Sequence, residues 1–237
     1  MMKMLNNSAI KQKSPLIVEL VGLAGAGKTT LARALSQRDE KILVAADLEL
    51  RKREHIPIFV GHVPFLLPVF LRRCRSSRWF TWDEIKAMVY LKGWPRVLRQ
   101  ESARSGKAIL LDHGPVFKLA TLNEFGPEKL RTEEYKLWWN DMFKQWASIM
   151  DIVIWLDAPD RVLEKRINSR DQRHLIKGET SSEVVHFLAR YRTSYEEILV
   201  KLNAYRGPLR LQFDTSRTPI EQVADEILSV INTRAPS

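Results

Sequence analysis

Residues 15–30 read PLIVELVGLAGAGKTT. Pro15–Val21 is a short, nearly continuous apolar run, the pattern of a strand covered on both faces. The next residues, Gly22-Leu-Ala-Gly-Ala-Gly27-Lys28-Thr29, satisfy G-x-x-x-x-G-K-[ST] at every position. Lys28–Gln37 then has helical character, so the motif stands between a strand and a helix, the context it requires. The chemistry explains the spacing. Glycines let the loop curl until successive N–H groups face one anion, and the helix that follows adds the positive end of its dipole. Gly22, Ala24, Gly25, Ala26, Gly27, Lys28, Thr29 and Thr30 are therefore candidate triphosphate-binding residues. Lys28 would reach the β- and γ-phosphates, and the Thr29 hydroxyl would ligate Mg²⁺.

Outward from this loop the chain keeps alternating. Ile42–Ala46, Ala108–Leu111, Ile152–Leu156 and Leu209–Phe213 are further short apolar runs, followed by Asp47, Asp112, Asp157 and Asp214. Helical patterns cover Thr81–Ser105 (interrupted near Gly93–Pro95), Pro127–Ile149, Asp160–Ser169, Ser181–Tyr205 and Thr218–Ile231. Apolar strands alternating with helices predict an α/β fold with a parallel sheet, whose ligand sits at the carboxyl ends of the strands. An Asp at a strand end is a turn-former or a functional group, and the sequence leaves both readings open for each of the four.

Composition narrows the class. The chain has 237 residues, 45% of them hydrophobic and 28% charged, which suits one domain over 15–237 after a polar tail at 1–14. The single cysteine, Cys74, excludes an internal disulfide and a multi-cysteine zinc site. No signal or spanning segment is recognisable, so a cytoplasmic protein is expected. The longest apolar stretch, Ile56–Leu71, is short and carries Pro57, Pro64 and Pro68. No N-K-x-D string marks a GTPase; Asn168-Ser-Arg-Asp171 lacks the Lys. No strand ends in two acids, which argues against a motor or AAA-type ATPase.

The downstream segments IVIWLDAPDRVLEKRINSRDQRHLIKGE (152–179) and VVHFLARYRTSYEEIL (184–199) resemble the fourth strand, arginine-rich lid and following helix of P-loop nucleoside and nucleotide kinases. The thymidylate and deoxynucleoside kinase group is the nearest. ILLDHGP at 109–115 is similar to that group's strand ending in an acid–Arg pair, and FDTSRTPIEQVADEI at 213–227 to its adenine-side loop and last helix.

The resemblance implies a three-layer fold with a five-stranded parallel sheet in the order 2-3-1-4-5. It implies ATP and Mg²⁺ as cofactors, a nucleoside or nucleotide acceptor, and an acceptor-side helical insertion at 48–94. A lid at 166–180 would bring Arg166, Arg170, Arg173 and Lys177 over the phosphates, and Ser216 would lie beside the donor base. Asp47 would be the general base or bind the acceptor, and Asp112 would hold Mg²⁺ or orient the acceptor. His113 departs from the family's Arg; shorter and near-neutral, it points to a hydroxyl acceptor or to a phosphate gripped elsewhere. The family is often dimeric, so a homodimer is a further expectation. The alternative function is an ATP-binding regulatory or membrane-associated P-loop protein with little transfer activity.

Residues 51–110 hold 13 Lys or Arg against four acids, which accounts for +9 of the net +10. Within them, 56–80 is first apolar, then basic and aromatic. Three readings stay open for it: an acceptor lid with core residues, an interface or pocket for a bulky apolar acceptor, or contact with an anionic membrane or nucleic acid through 51–80.

Overall fold

The computed structural model describes residues 15–45, 56–71, 77–169 and 176–234. Five strands, β1 (Ile17–Gly22), β2 (Ile42–Ala45), β3 (Ala108–Asp112), β4 (Ile152–Asp157) and β5 (Leu209–Asp214), form one sheet in the order β2-β3-β1-β4-β5. Every pairing is parallel. All six β1 residues are buried, as are the first five of β4, so both faces of the sheet are covered.

Among the described residues, eight helices supply the cover: α1 (Lys28–Arg38), α2 (Ile56–Leu71), α3 (Trp82–Ser105), α4 (Pro115–Phe125), α5 (Lys136–Ala147), α6 (Asp160–Asn168), α7 (Ser181–Asn203) and α8 (Ile220–Arg234). α1 packs on α8, while α3, α4, α5 and α7 form a second connected group. Their apolar faces meet the sheet around the fully buried side chains of Trp146, Trp155 and Tyr195.

Three elements depart from the expectations. The first is α3, which runs unbroken through Gly93–Pro95. Pro95 has no N–H to give the carbonyl four residues back, that of Leu91. Here the Leu91 carbonyl accepts instead from the buried Trp146 indole N–H at 3.0 Å. A remote side chain thus replaces the missing helical bond, and the helix continues. Trp146→Phe is expected to cost about 2 kcal/mol in denaturant unfolding, because it strips that carbonyl of its donor and leaves a small void.

The second is the helix expected from Pro127. It starts only at Lys136, after 3₁₀ turns at Glu128–Arg131 and Glu133–Tyr135. The Thr132 hydroxyl donates to the Lys129 carbonyl and closes the first turn locally. The third is α4, which the sequence pattern missed and which a residue of β1 holds at its start, as described below.

Within the acceptor-side insertion expected at 48–94, residues 56–71 form α2 and residues 82–94 the first half of α3. Of the lid expected at 166–180, residues 166–168 finish α6, residues 176–180 precede α7, and residues 170–175 lie outside the described residues.

Candidate active site

The loop between β1 and α1 is built around three glycines. Gly22 sits so close to β4 that a Cβ there would fall 2.3 Å from the Leu156 carbonyl oxygen. Gly25 (φ +84°) and Gly27 (φ +99°) occupy the left-handed region, which other residues enter only with strain. Gly25 also lies against α6, where a Cβ would meet the Leu163 carbonyl oxygen at 3.0 Å. Gly22→Ala is expected to lower stability by about 3 kcal/mol, since the β1–β4 ladder must part to admit the methyl; a thermal melt measures this.

Gly27 is the N-cap of α1, and no side chain caps that end. The first turn, with its exposed Thr29 and Thr30, therefore presents N–H groups and hydroxyls to whatever anion enters the loop. Ala24 is half-buried and Ala26 fully buried, so they would offer backbone N–H groups rather than side chains. Lys28 folds back over the loop, its ammonium donating to the carbonyls of Gly22 (2.7 Å) and Leu23 (3.1 Å).

Arg166, expected as a lid cation, lies on the last turns of α6 and faces the loop. Its guanidinium donates to the Gly25 carbonyl (3.2 Å), the Thr215 hydroxyl (2.9 Å) and the Thr215 carbonyl (2.9 Å). It ties the phosphate loop to the turn after β5. Ser216, in that turn, donates both its N–H (2.9 Å) and its hydroxyl (2.6 Å) to Asp214 Oδ1. These bonds hold the Asp214 carboxyl below its ordinary range and make it a turn-former.

The strand-end acids now separate. Asp157 accepts from Arg192 Nε (2.8 Å) and Nη2 (3.1 Å), and Arg192 also reaches Asp160 at 2.5 Å. Asp157 is thus a structural partner of α7. Asp112 differs: its Oδ1 is buried and has no hydrogen-bond partner among the described residues. His113 Nδ1 lies 3.4 Å from it. Register sets Asp112 opposite Leu20 on the neighbouring strand, two residues before Gly22. A carboxylate with an unsatisfied oxygen therefore stands beside the phosphate loop. Asp47, Arg170 and Arg173 lie outside the described residues.

Sequence reasoning passed over Glu19, the one charged residue in the apolar run of β1. It is fully buried. Its Oε2 accepts from Val116 N (2.9 Å) and its Oε1 from Phe117 N (3.1 Å), so it caps α4 from another element. Burial pushes its carboxyl up to about 8, with the nearby Asp112 charge adding to the rise and the two N–H donors opposing it. The turn between is pressed onto it: a Cβ on Gly114 would fall 2.7 Å from Glu19 Cδ. His113 takes the left-handed conformation (φ +60°), its ring edge-on to Phe117 at 4.6 Å. The left-handed His113 thus sits directly after Asp112, whose Oδ1 has no hydrogen-bond partner among the described residues. The buried Tyr195 hydroxyl is held well above its ordinary range by burial, with Glu19 and Asp112 adding smaller contributions.

A five-stranded parallel sheet in the order 2-3-1-4-5, with a phosphate-cradling loop after its first strand, defines a P-loop kinase fold. Residues 17–197 match the family model AAA_33, described as an AAA domain, and the chain belongs to that family.

Among solved structures, thymidylate kinase from Candida albicans is similar at a TM-score of 0.54 and 17% identity, over 93% of this chain and 92% of that one. Deoxyadenosine kinase from M. mycoides gives 0.52 and 15%, over 92% and 100%. YorR from Bacillus subtilis, solved with phosphorylated GDP, gives 0.51 and 12%, over 91% and 95%. At these identities the likeness establishes the fold, which is the one the nucleoside and nucleotide kinase resemblance implied. No curated protein matches the sequence. Among the described residues, no helix is long and apolar enough to cross a membrane.

Proposed function

We propose that the protein is a small-molecule kinase that transfers the γ-phosphoryl of Mg-ATP to a hydroxyl or phosphate of a nucleoside-like or nucleotide-like acceptor. The observation that carries this reading is the pairing of an uncapped phosphate loop with the buried, unsatisfied Asp112 oxygen on the adjacent strand. A loop that only binds nucleotide has no need of a second polar group held without a partner at a strand end. The fold neighbours named as kinases support the same reading.

Phosphoryl transfer asks little covalent chemistry of a protein; it asks for position and charge neutralisation. The N–H groups of the loop would hold the β- and γ-phosphates, and Lys28 would leave the Gly22 and Leu23 carbonyls to follow the γ-phosphoryl. The Thr29 hydroxyl and Asp112 are fit to hold Mg²⁺, because one is exposed at the helix start and the other has an oxygen to give. When bound, that ion neutralises phosphate charge. Asp47 would accept the acceptor's hydroxyl proton as the new O–P bond forms and ADP departs. Arg170, Arg173 and Lys177 would close over the phosphates, whereas Arg166 would hold the loop through Gly25. Arg170→Ala is therefore expected to lower turnover about tenfold or more while ATP affinity changes less; steady-state kinetics separate the two.

The proposal is tested with Mg-ATP and a pooled panel of nucleosides, nucleoside monophosphates, sugars and amino alcohols. Acceptor-dependent ADP production is the expected result, and splitting the pool then names the substrate. ATP binding with no acceptor dependence across the panel would overturn it.

A further inference from the structure

A cavity of about 460 Å³ opens between α5, the end of α7 and the 3₁₀ turn Glu128–Arg131. That volume is in the range of small-molecule sites. Trp139 and Phe143 of α5 form an apolar wall, their rings stacked with centroids 5.6 Å apart. Tyr205, partly exposed, lines the cavity from the end of α7. The walls are fixed by bonds to backbone carbonyls. The Trp139 indole donates to the Leu130 carbonyl at 2.8 Å. The Arg131 guanidinium donates to the carbonyls of Asn123 (2.9 Å) and Glu124 (2.8 Å). Phe143 is buried. A site held in shape in this way orders little when a ligand enters, and so binds at a smaller entropic cost.

Charge selects the occupant. Arg131, Lys136 and Lys201 line the cavity, and no acidic side chain does. Lys136 pairs with Glu133 at 2.7 Å, but both side chains are exposed, and such a pair gives way to another anion at little cost. The Lys201 ammonium lies 5.5 Å from the centre of the Phe143 ring and forms no ion pair among the described residues. Glu197, one turn earlier on α7, accepts from the Asn123 amide at 3.0 Å instead. A neutral hydrocarbon would cover the aromatic wall and leave the cations without a counter-charge. An inorganic anion would do the reverse. A planar ring that carries an anionic group satisfies both, stacking on the wall and meeting the ammonium groups at its rim.

We propose that this cavity is a ligand site separate from the phosphate loop, and that it takes a small aromatic molecule carrying a phosphate or carboxylate. The ring would lie against Trp139, with the anionic group toward Lys201, Lys136 and Arg131. The reading holds whether or not the phosphate loop transfers phosphate, since no lining residue belongs to that loop, to α1 or to a strand end.

The test is isothermal titration of the full chain with naphthyl phosphate, naphthoate and neutral naphthol, in the presence of Mg²⁺ and a non-hydrolysable ATP analogue that occupies the phosphate loop. At least one of the two anions is expected to bind about tenfold or more tighter than naphthol, and more weakly as salt rises. The tighter anion names the favoured group. Lys201→Glu should lose about tenfold or more of that binding, and Ala204→Trp should fill the cavity and abolish it. Both positions are exposed, so both variants should fold, which circular dichroism and the melting point report. Neither anion binding at millimolar concentration, naphthol binding as tightly as the anions, or binding unchanged in either variant would overturn the proposal.

Discussion

Lys28→Ala is expected to reduce acceptor-dependent turnover by about 10³-fold or more, a loss of about 4 kcal/mol of transition-state stabilisation. The size follows from where the ammonium is and where it would have to go. It now donates to two loop carbonyls, Gly22 and Leu23. In the reacting complex it would be the mobile cation that meets charge on the transferring group, a role no backbone N–H can follow. The fold should lose much less. Removing the two hydrogen bonds of a half-buried side chain costs about 1 kcal/mol, or about 2–4 °C in the melting point of a chain this long. Steady-state kinetics beside a thermal melt separate the two effects. A melting point lowered by more than about 10 °C would instead make Lys28 a structural brace of the loop.

Glu19→Ala is expected to produce the largest loss of stability, about 3 kcal/mol or more, seen as a fall of roughly 10 °C in the melting point. Two N–H groups at the start of α4 would lose their acceptor in a fully buried place, and a void would open under Gly114. The same residue gives a pH signature. Its carboxyl ordinarily titrates near 4.5 and is pushed up to about 8 in the folded protein. The folded state therefore holds a proton that the unfolded chain has released. The stability linked to that proton is fully present below about 4.5 and declines as the pH rises toward 8. The charged groups facing Glu19 are Asp112, which adds to the rise, and Lys118, which opposes it. Melts from pH 5 to 9 should show wild-type stability falling with pH and a flatter curve for Glu19→Gln. A wild-type curve as flat as the variant's would mean that the two N–H donors outweigh burial and Glu19 is ionised throughout.

The phosphate loop was fully legible in the sequence because its chemistry is local: residues 22–29 carry both the curl and the ligand groups. The strands were legible for the same reason, as runs of apolar residues, and the sheet order came with the family resemblance. What escaped was set by distant partners. α4 begins at Gly114-Pro115, where the proline suits the first position but Gly114 has no side chain to cap the helix, and the cap is supplied by Glu19, 97 residues away. The unbroken α3 depends on the Trp146 indole, 55 residues away. The four strand-end Asp residues looked equivalent along the chain. Their roles differ because Arg192 and Ser216 donate to Asp157 and Asp214, whereas the buried Oδ1 of Asp112 has no hydrogen-bond partner among the described residues. Glu19 did leave one signal, a lone charge inside a buried strand, which by itself asks for a partner. Arg192 left none, since nothing in the local pattern of α7 distinguishes an inward arginine from a solvated one.

The most direct test of the kinase reading is to follow the label of γ-³²P-ATP in the presence of the acceptor pool, with Lys28→Ala beside the wild type. The account predicts label in an organic product, formed only when acceptor is present and lost in Lys28→Ala. Label appearing solely as inorganic phosphate, at a rate indifferent to acceptor, would contradict it and make the protein a nucleotide hydrolase on a kinase fold.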